Sequence, residues 1–244
     1  MVRLPTNVPS LDQQTRFWDE WNQRFRTSGI DGFMSRQLEL AVEWIHRMDR
    51  SPLAVAEVGC GNGWLVGRLA ATFNGEFWGI DISPASIAAA SEAYPSVHFA
   101  CVDAIAFQPD RKMDVVISAD AIAHVPDQAG LVRRFADILM PGGRLILMTQ
   151  NPFVWNRSSN LMPRGEGQYR DWPPLHRLRQ LLSKDFRIVR VTSIVPGGDR
   201  GIPGMINSRW VSGVASRLVG RQLVDRMKET MLIGREYVIV ADRR

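Results

Sequence analysis

Cysteine is nearly absent: the 244 residues contain two, Cys60 and Cys101. They fall on separate expected strand ends, which excludes a disulfide framework and reads instead as two reduced thiols. Histidine is scarce as well, with four copies, and neither residue type shows the C-x-x-C or H-x-x-x-H spacing of a zinc site. Asp120 and Asp127, near His124, are ligands that magnesium would accept in principle, but no pattern requires it and no metal is expected. Long apolar runs are missing: no window approaches the ~20 consecutive apolar residues that span a bilayer. Residues 1–16, with Pro5, Pro9, Asp12 and Arg16, hold no apolar stretch of a secretory signal. A soluble, cytoplasmic protein is the expectation. Repeats, low-complexity tracts and Ser/Gly linkers are absent too, so residues 1–244 are expected to form one domain.

Lysine supplies only three of the 30 basic residues, arginine the rest. The net charge of +5 conceals an asymmetry, because residues 1–122 carry 10 basic and 15 acidic residues and residues 123–244 carry 20 and 10. A basic second half suits an anionic partner or a solvated surface, and the solvated surface is the plainer account.

Hydrophobic residues make up 45% of the chain, enough for a sizeable core. Short apolar, β-branched runs alternate with helical patterns, which predicts an α/β fold with a mostly parallel sheet and helices on both faces. Strands are expected at 53–58, 76–81, 97–102, 113–118, 144–149, 186–194 and 236–241. Helices are expected at 12–26, 35–48, 63–72, 84–93, 128–139 and 175–183, with one or two more within 208–228. Pro141-Gly142-Gly143 marks a helix stop and a turn. Residues 1–50 read as an N-terminal helical cap, whose first helix carries the aromatic stripe Phe17, Trp18, Trp21 and Phe25. Two segments break the alternation, 151–174 and 196–231, and read as lid or substrate-side insertions. In the first, Glu166, Tyr169, Arg170, Asp171 and Trp172 cluster; in the second, 195–209 reads as a rigid loop.

The first strand ends in E-V-G-C-G-N-G, with Gly59, Gly61 and Gly63 opening a helix. Glycine serves here for a tight turn and for close approach of a ligand to the backbone. The second strand ends in Asp81, 18 residues after Gly63, where a carboxylate accepts hydrogen bonds from both ribose hydroxyls of an adenosine cofactor. The third leads to Asp103 at the same edge of the sheet. A nicotinamide or flavin dinucleotide is the rival ligand, but its G-x-G-x-x-G fingerprint fails at Trp64.

These strings, followed by D-V-V-I-S-A-D-A-I-A-H-V-P-D and L-M-P-G-G-R-L-I-L, resemble class I S-adenosylmethionine-dependent methyltransferases over about residues 53–150. The likeness is greatest to the branch holding ubiquinone-biosynthesis O-methyltransferases and many sugar and natural-product methyltransferases. It implies a three-layer, Rossmann-like, seven-stranded sheet whose last strand is antiparallel. It further implies that Gly59, Cys60, Gly61 and Gly63 surround the methionine moiety of S-adenosyl-L-methionine, with Glu57 supporting the loop. Asp81 would hold the ribose, Ile82 would pack on the adenine, and Asp103 would accept from its amino group. Ala104 would flank the ring and Ala119 would lie beside the methionine portion. Asn62 and Trp64 would shape the turn.

Methyl transfer chiefly needs alignment, and a base if the acceptor must lose a proton. His124 follows the fourth strand and titrates near neutrality, so it is the first candidate; the family commonly has Glu-His here, and this chain has Ala123-His124. His176, opening the helix after the lid, is the second; His46 and His98 read as structural. The expected reaction is O-methylation of a small molecule such as a sugar, a phenol or a natural product. The alternatives are an RNA methyltransferase, suggested by the basic half, and a cofactor-binding protein without catalysis. Against RNA stands S-A-D-A where an N-P-P-Y type motif would be, and no appended RNA-binding module. The expected partner is therefore a small-molecule acceptor, with nucleic acid disfavoured, no membrane span, and a homodimer compatible.

Overall fold

The computed structural model describes residues 8–25, 32–51, 53–208, 213, 216–217 and 220–244. Seven strands form one sheet: β1 (Leu53–Val58), β2 (Gly75–Asp81), β3 (His98–Cys101), β4 (Met113–Ala119), β5 (Leu139–Gln150), β6 (Phe186–Pro196) and β7 (Gly234–Arg243). Their order is β3-β2-β1-β4-β5-β7-β6. The pairs from β3 to β5 are parallel, and β7 runs antiparallel to both β5 and β6. β1 is buried at every position, as a strand covered on both faces must be, and its residues are apolar but for Glu57.

The helices are α1 (Leu11–Phe25), α2 (Gly32–His46), α3 (Trp64–Ala70), α4 (Pro84–Ala93), α5 (Gln128–Ile138), α6 (Pro152–Trp155), α7 (Leu175–Leu182), α8 (Gly201–Asn207) and α9 (Arg221–Thr230). Two cores result, one on each face of the sheet. Ala54, Ala56 and Val116 pack under Leu131 and Phe135 of α5 and Leu178 and Leu182 of α7. Val55, Val115 and Ile146 pack under Leu40 and Trp44 of α2 and Leu65 and Leu69 of α3. Fully buried side chains such as Phe135 and Phe186 each contribute about 2–3 kcal/mol.

Local chemistry sets several element starts. Ser83 caps α4 by accepting from the Ser86 N–H, with Pro84 in the first turn. Asp127 caps α5 through the Gly130 N–H at 2.7 Å. The strands fall where the sequence places them, except that β5 starts five residues early. Leu139 already pairs with Met113, and the ladder then jumps to Val115 opposite Arg144. The expected turn is the step between these pairings, with Gly142 at φ 72°. α8 replaces the loop expected over 195–209, and most of residues 208–220 lie outside the described structure. Among the described residues no helix is long and apolar enough to cross a membrane.

α1 and segment 151–174 meet over one edge of the sheet. α1 is fastened to α4: Asn22 donates to Ser86 Oγ at 2.6 Å, and Asp19 accepts from the Ser83 hydroxyl and the Ala85 N–H. Segment 151–174 lies against α1, where a Cβ on Gly165 would stand 2.4 Å from the Phe17 ring. The side chain of Phe25, also counted in the aromatic stripe, is outside the described residues.

A candidate active site at the carboxyl edge of the sheet

Beneath these segments lies a cavity of about 450 Å³, within the usual range for small-ligand sites. At one end Gly59, Gly61, Asp81, Ile82, Val102 and Ala104 form its wall. Asp81 Oδ2 accepts from the Gly61 N–H at 2.8 Å and Oδ1 from the Ser83 N–H at 2.9 Å. Each oxygen keeps a further lone pair for the cavity. Burial raises the carboxyl above its ordinary range, while those backbone donors and that of Ile82 oppose the rise. Nothing stands within 4 Å of a Cβ built on Gly61, so backbone faces open space there. A carboxylate with spare lone pairs beside an open glycine turn fits the ribose and amino-acid ends of an adenosyl cofactor.

The other end is aromatic. His124 sits on a single helical turn, Ile122–His124, after β4. Its ring meets Trp18 edge-on at 4.6 Å, and Nδ1 lies 2.8 Å from the Tyr169 carbonyl. A carbonyl only accepts, so Nδ1 carries the hydrogen and Nε2 keeps its lone pair. Burial, reinforced by the Arg170 charge and opposed by the Tyr169 bond, holds His124 down to about 4. The imidazole is therefore neutral at physiological pH. Segment 151–174 is tied to the same turn, because the Asp171 N–H donates to Ala123 O at 2.8 Å and Gln128 donates to Asp171 O at 2.8 Å.

Of the twelve residues expected to hold cofactor or act in catalysis, seven line this cavity: Gly59, Gly61, Asp81, Ile82, Ala104, Ala119 and His124, beside Trp18, Trp21, Arg170 and Trp172 of the aromatic stripe and the lid. Five do not. Glu57 is buried on β1 and accepts from the Val66 N–H at 2.9 Å, holding the first turn of α3. Cys60 is buried in the core, where burial raises its thiol and leaves it unreactive. Gly63 opens α3 against Phe99 and Ala90. Asp103 turns back on its own loop and accepts from the Ile105 N–H at 2.9 Å. His176 stands exposed on α7, because Leu178 and Leu182 claim the buried face. Asn62 and Trp64 also stay out of the wall; Asn62 accepts from the Trp64 N–H. No residue of 195–209 lines the cavity: Asp199 instead accepts from the Ser159 N–H. Sequence reasoning missed Asn22, Gln150 and Trp155 as wall residues and weighed Asp120 only for magnesium; the position of Asp120 at the end of β4 was the available signal.

Glu57 carries a testable consequence. Burial pushes its carboxyl up to about 8, partly opposed by the Val66 bond. A raised carboxyl holds its proton more tightly folded than unfolded, so this contribution to stability is full below the ordinary carboxylate range and is lost as pH rises towards about 8. Glu57→Gln keeps an oxygen for Val66 and cannot ionise. Its melting temperature should fall less than that of the wild type between about pH 5 and pH 8. Equal slopes in the two proteins would show that Glu57 is not a buried acid.

A Rossmann-like sheet with β7 reversed, a glycine turn after β1 and an acidic end to β2 defines an adenosyl-cofactor-binding α/β protein. Residues 55–143 match the family model described as a methyltransferase domain. The chain is 35% identical over 147 residues to phosphoethanolamine N-methyltransferase 3 of Arabidopsis thaliana, covering 54% of this chain and 30% of that protein. It is 32% identical over 149 residues to the ubiquinone biosynthesis O-methyltransferase of Albidiferax ferrireducens, covering 53% and 58%. In neither case does the match reach two thirds of the relative's length. The crystal structure of magnesium protoporphyrin IX methyltransferase from Synechocystis PCC 6803 with bound S-adenosylhomocysteine superposes with a TM-score of 0.60 at 18% identity, covering 95% of each chain. Residues 55–143 are thus similar to a methyltransferase domain, and the chain shares its fold with methyltransferases crystallised with S-adenosylmethionine or S-adenosylhomocysteine.

Proposed function

We propose that this protein methylates a hydroxyl group of a small-molecule acceptor that lays a ring face on an aromatic wall, such as a phenol, a sugar or a natural product. The observation that carries the reading is continuity: one cavity runs from Asp81 and Gly61 to a chamber formed by His124, Trp155 and Trp172. Trp155 and Trp172 pack against each other at 5.9 Å and form one aromatic wall on which a ligand ring can stack. The Trp172 indole N–H is buried without a partner. Such a group costs about 1–3 kcal/mol, which a ligand oxygen would recover. Asp81 and the Gly59–Gly61 turn would hold the cofactor, as the wall they form supports. When bound, the cofactor supplies an electrophilic methyl group carried on a positive sulfur. The aromatic walls exclude water, and the free Nε2 of His124 accepts from a second polar hydrogen of the acceptor, beside the hydroxyl to be methylated, and orients it.

Transfer of labelled methyl from S-adenosylmethionine to a panel of phenols, sugars, amines and RNA tests this, with S-adenosylhomocysteine binding run alongside. Label in phenols or sugars is expected. Label confined to amines, or to RNA with a steep loss on adding salt, would replace the hydroxyl assignment. Neither label nor binding would sink the methyl-transfer reading. For His124→Ala we expect S-adenosylhomocysteine affinity to hold and turnover to drop about tenfold, the worth of one orienting hydrogen bond. Unchanged turnover would remove His124 from the site.

A further inference from the structure

Asp120 closes the floor of the cavity between the cofactor end and the aromatic chamber, and three observations set it apart. Its backbone is in the left-handed region at φ 61°, costing about 1–2 kcal/mol for a residue with a Cβ. Its Oδ1 is buried and, among the described residues, meets no N–H or hydroxyl donor. Beneath it lies a second carboxyl, Glu236 on β7, wholly buried. Gln37 of α2 bridges them: Nε2 donates to both Glu236 oxygens at 3.1 Å and reaches Asp120 Oδ2 at 3.4 Å.

Two buried carboxyls in contact cannot both be charged. Glu236 is driven far up by burial and by the Asp120 charge, so it keeps its proton. Burial also raises Asp120, but bonds donated by Glu236 and Gln37 oppose the rise. The pair thus holds one proton and one negative charge, with the charge on the member that lines the cavity. Among the described residues no lysine or arginine pairs with either carboxyl. Beyond Gln37, the groups on the surrounding walls are neutral His124, neutral Gln150 at the end of β5, the Arg170 guanidinium from segment 151–174, and Asp81 at the cofactor end.

We propose that the Asp120–Glu236 pair is the general base of the site: Asp120 takes the proton that the acceptor loses, while Glu236 donates a hydrogen bond that steadies Asp120. This rests on the methyl-transfer reading above. The O–H bond of the acceptor breaks and its proton moves to Asp120. The electron pair left on oxygen forms the new bond to the methyl carbon, and the pair of the broken carbon–sulfur bond stays on sulfur. The pair ends neutral, as does the former sulfonium, so a buried positive and a buried negative charge vanish together. His124, held near 4, is a poorer final holder of that proton.

The test uses the whole chain and three variants. Asp120→Asn should keep S-adenosylhomocysteine affinity within about threefold and lose roughly 10²–10⁴ of methyl transfer, the usual worth of a general base. Asp120→Gly relaxes the left-handed backbone, so it should melt no lower than the wild type and be equally inactive, which separates chemistry from folding. Glu236→Gln retains a donor to Asp120 without a titrating proton; it should remain active, with the acid limb of its pH–rate profile displaced. A protonated-carboxyl band in the infrared spectrum of the ligand-free protein should disappear in Glu236→Gln. A wild-type rate in Asp120→Asn overturns the proposal. So does a loss of S-adenosylhomocysteine binding as large as the loss of transfer, since Asp120 would then be holding cofactor. So does the absence of the band. If the wild type binds S-adenosylhomocysteine yet labels nothing in the panel, the hydroxyl-acceptor reading fails by itself, and the band decides the proposal: its absence overturns the shared proton and its loss in Glu236→Gln supports it.

Discussion

Replacing Asp81 by alanine is expected to weaken S-adenosylhomocysteine binding by about 10²–10⁴-fold, the loss of two charge-assisted hydrogen bonds at roughly 1.5–3 kcal/mol each. The carboxylate ends β2 and is aimed by its own loop: Gly61 and Ser83 each donate a backbone N–H to one of its oxygens. Those bonds set the angle at which the remaining lone pairs meet two vicinal hydroxyls, so binding and loop geometry depend on one group. Asp81→Asn separates them, since its one oxygen keeps one of the two backbone bonds and removes the charge; it should melt close to the wild type and bind between the wild type and Asp81→Ala. A 2′,3′-dideoxy analogue of S-adenosylhomocysteine provides the control, because wild type and Asp81→Asn should bind it about equally. If the variants discriminate against the dideoxy analogue as the wild type does, Asp81 is not the ribose ligand and merely holds its loop. Because burial raises this carboxyl, affinity should also fade as pH drops from a higher starting point than an exposed aspartate would give.

The cofactor half of this site is legible from sequence because it depends on backbone geometry that few residues satisfy. Left-handed turns at Gly59, Gly61 and Gly63 need glycine, and a strand-end carboxylate beside them has a short list of uses. The strands of the sheet were visible for a similar reason: β1 and β4 are covered on both faces, so Leu53–Ala56 and Val115–Ile117 are short continuous apolar runs. The acceptor half is built by long-range contacts that no local pattern announces. Asp120 and Glu236 lie 116 residues apart in sequence and become one group only when β7 inserts beside β5. His124 was read as a base on its ordinary titration, and tertiary burial under Trp18 and segment 151–174 changes that. His176 shows the opposite error: it neighbours the lid in sequence, but the buried stripe of α7 turns it to solvent. Asp103 spends a lone pair of one carboxylate oxygen on its own turn, a bond that strand position alone does not announce.

The three glycines of the turn should separate by mutation into packing and ligand contact. Gly59→Ala places a Cβ 2.5 Å from the Ala121 Cβ at φ 78°. Left-handed strain of about 1–2 kcal/mol and overpacking of about 1–3 kcal/mol together give roughly 2–5 kcal/mol. At about 2–4 °C per kcal/mol for a domain of this size, the melting temperature should fall by roughly 4–20 °C. Gly61→Ala shares the left-handed backbone, φ 52°, but meets nothing within 4 Å. It should melt only a few degrees low, near the backbone strain alone, while a methyl group now stands where the ligand approaches and S-adenosylhomocysteine binding drops out of proportion. Gly63→Ala, 2.7 Å from the Phe99 ring, should behave like Gly59→Ala. The two parts of the Gly59 loss can be separated further, because Ala121→Gly removes the clashing methyl and leaves φ unchanged. In a double-mutant cycle, Ala121→Gly should therefore restore the overpacking share of the Gly59→Ala loss and none of the strain. If the two losses simply add, the Cβ contact has no part in it and backbone conformation alone makes glycine necessary at this position.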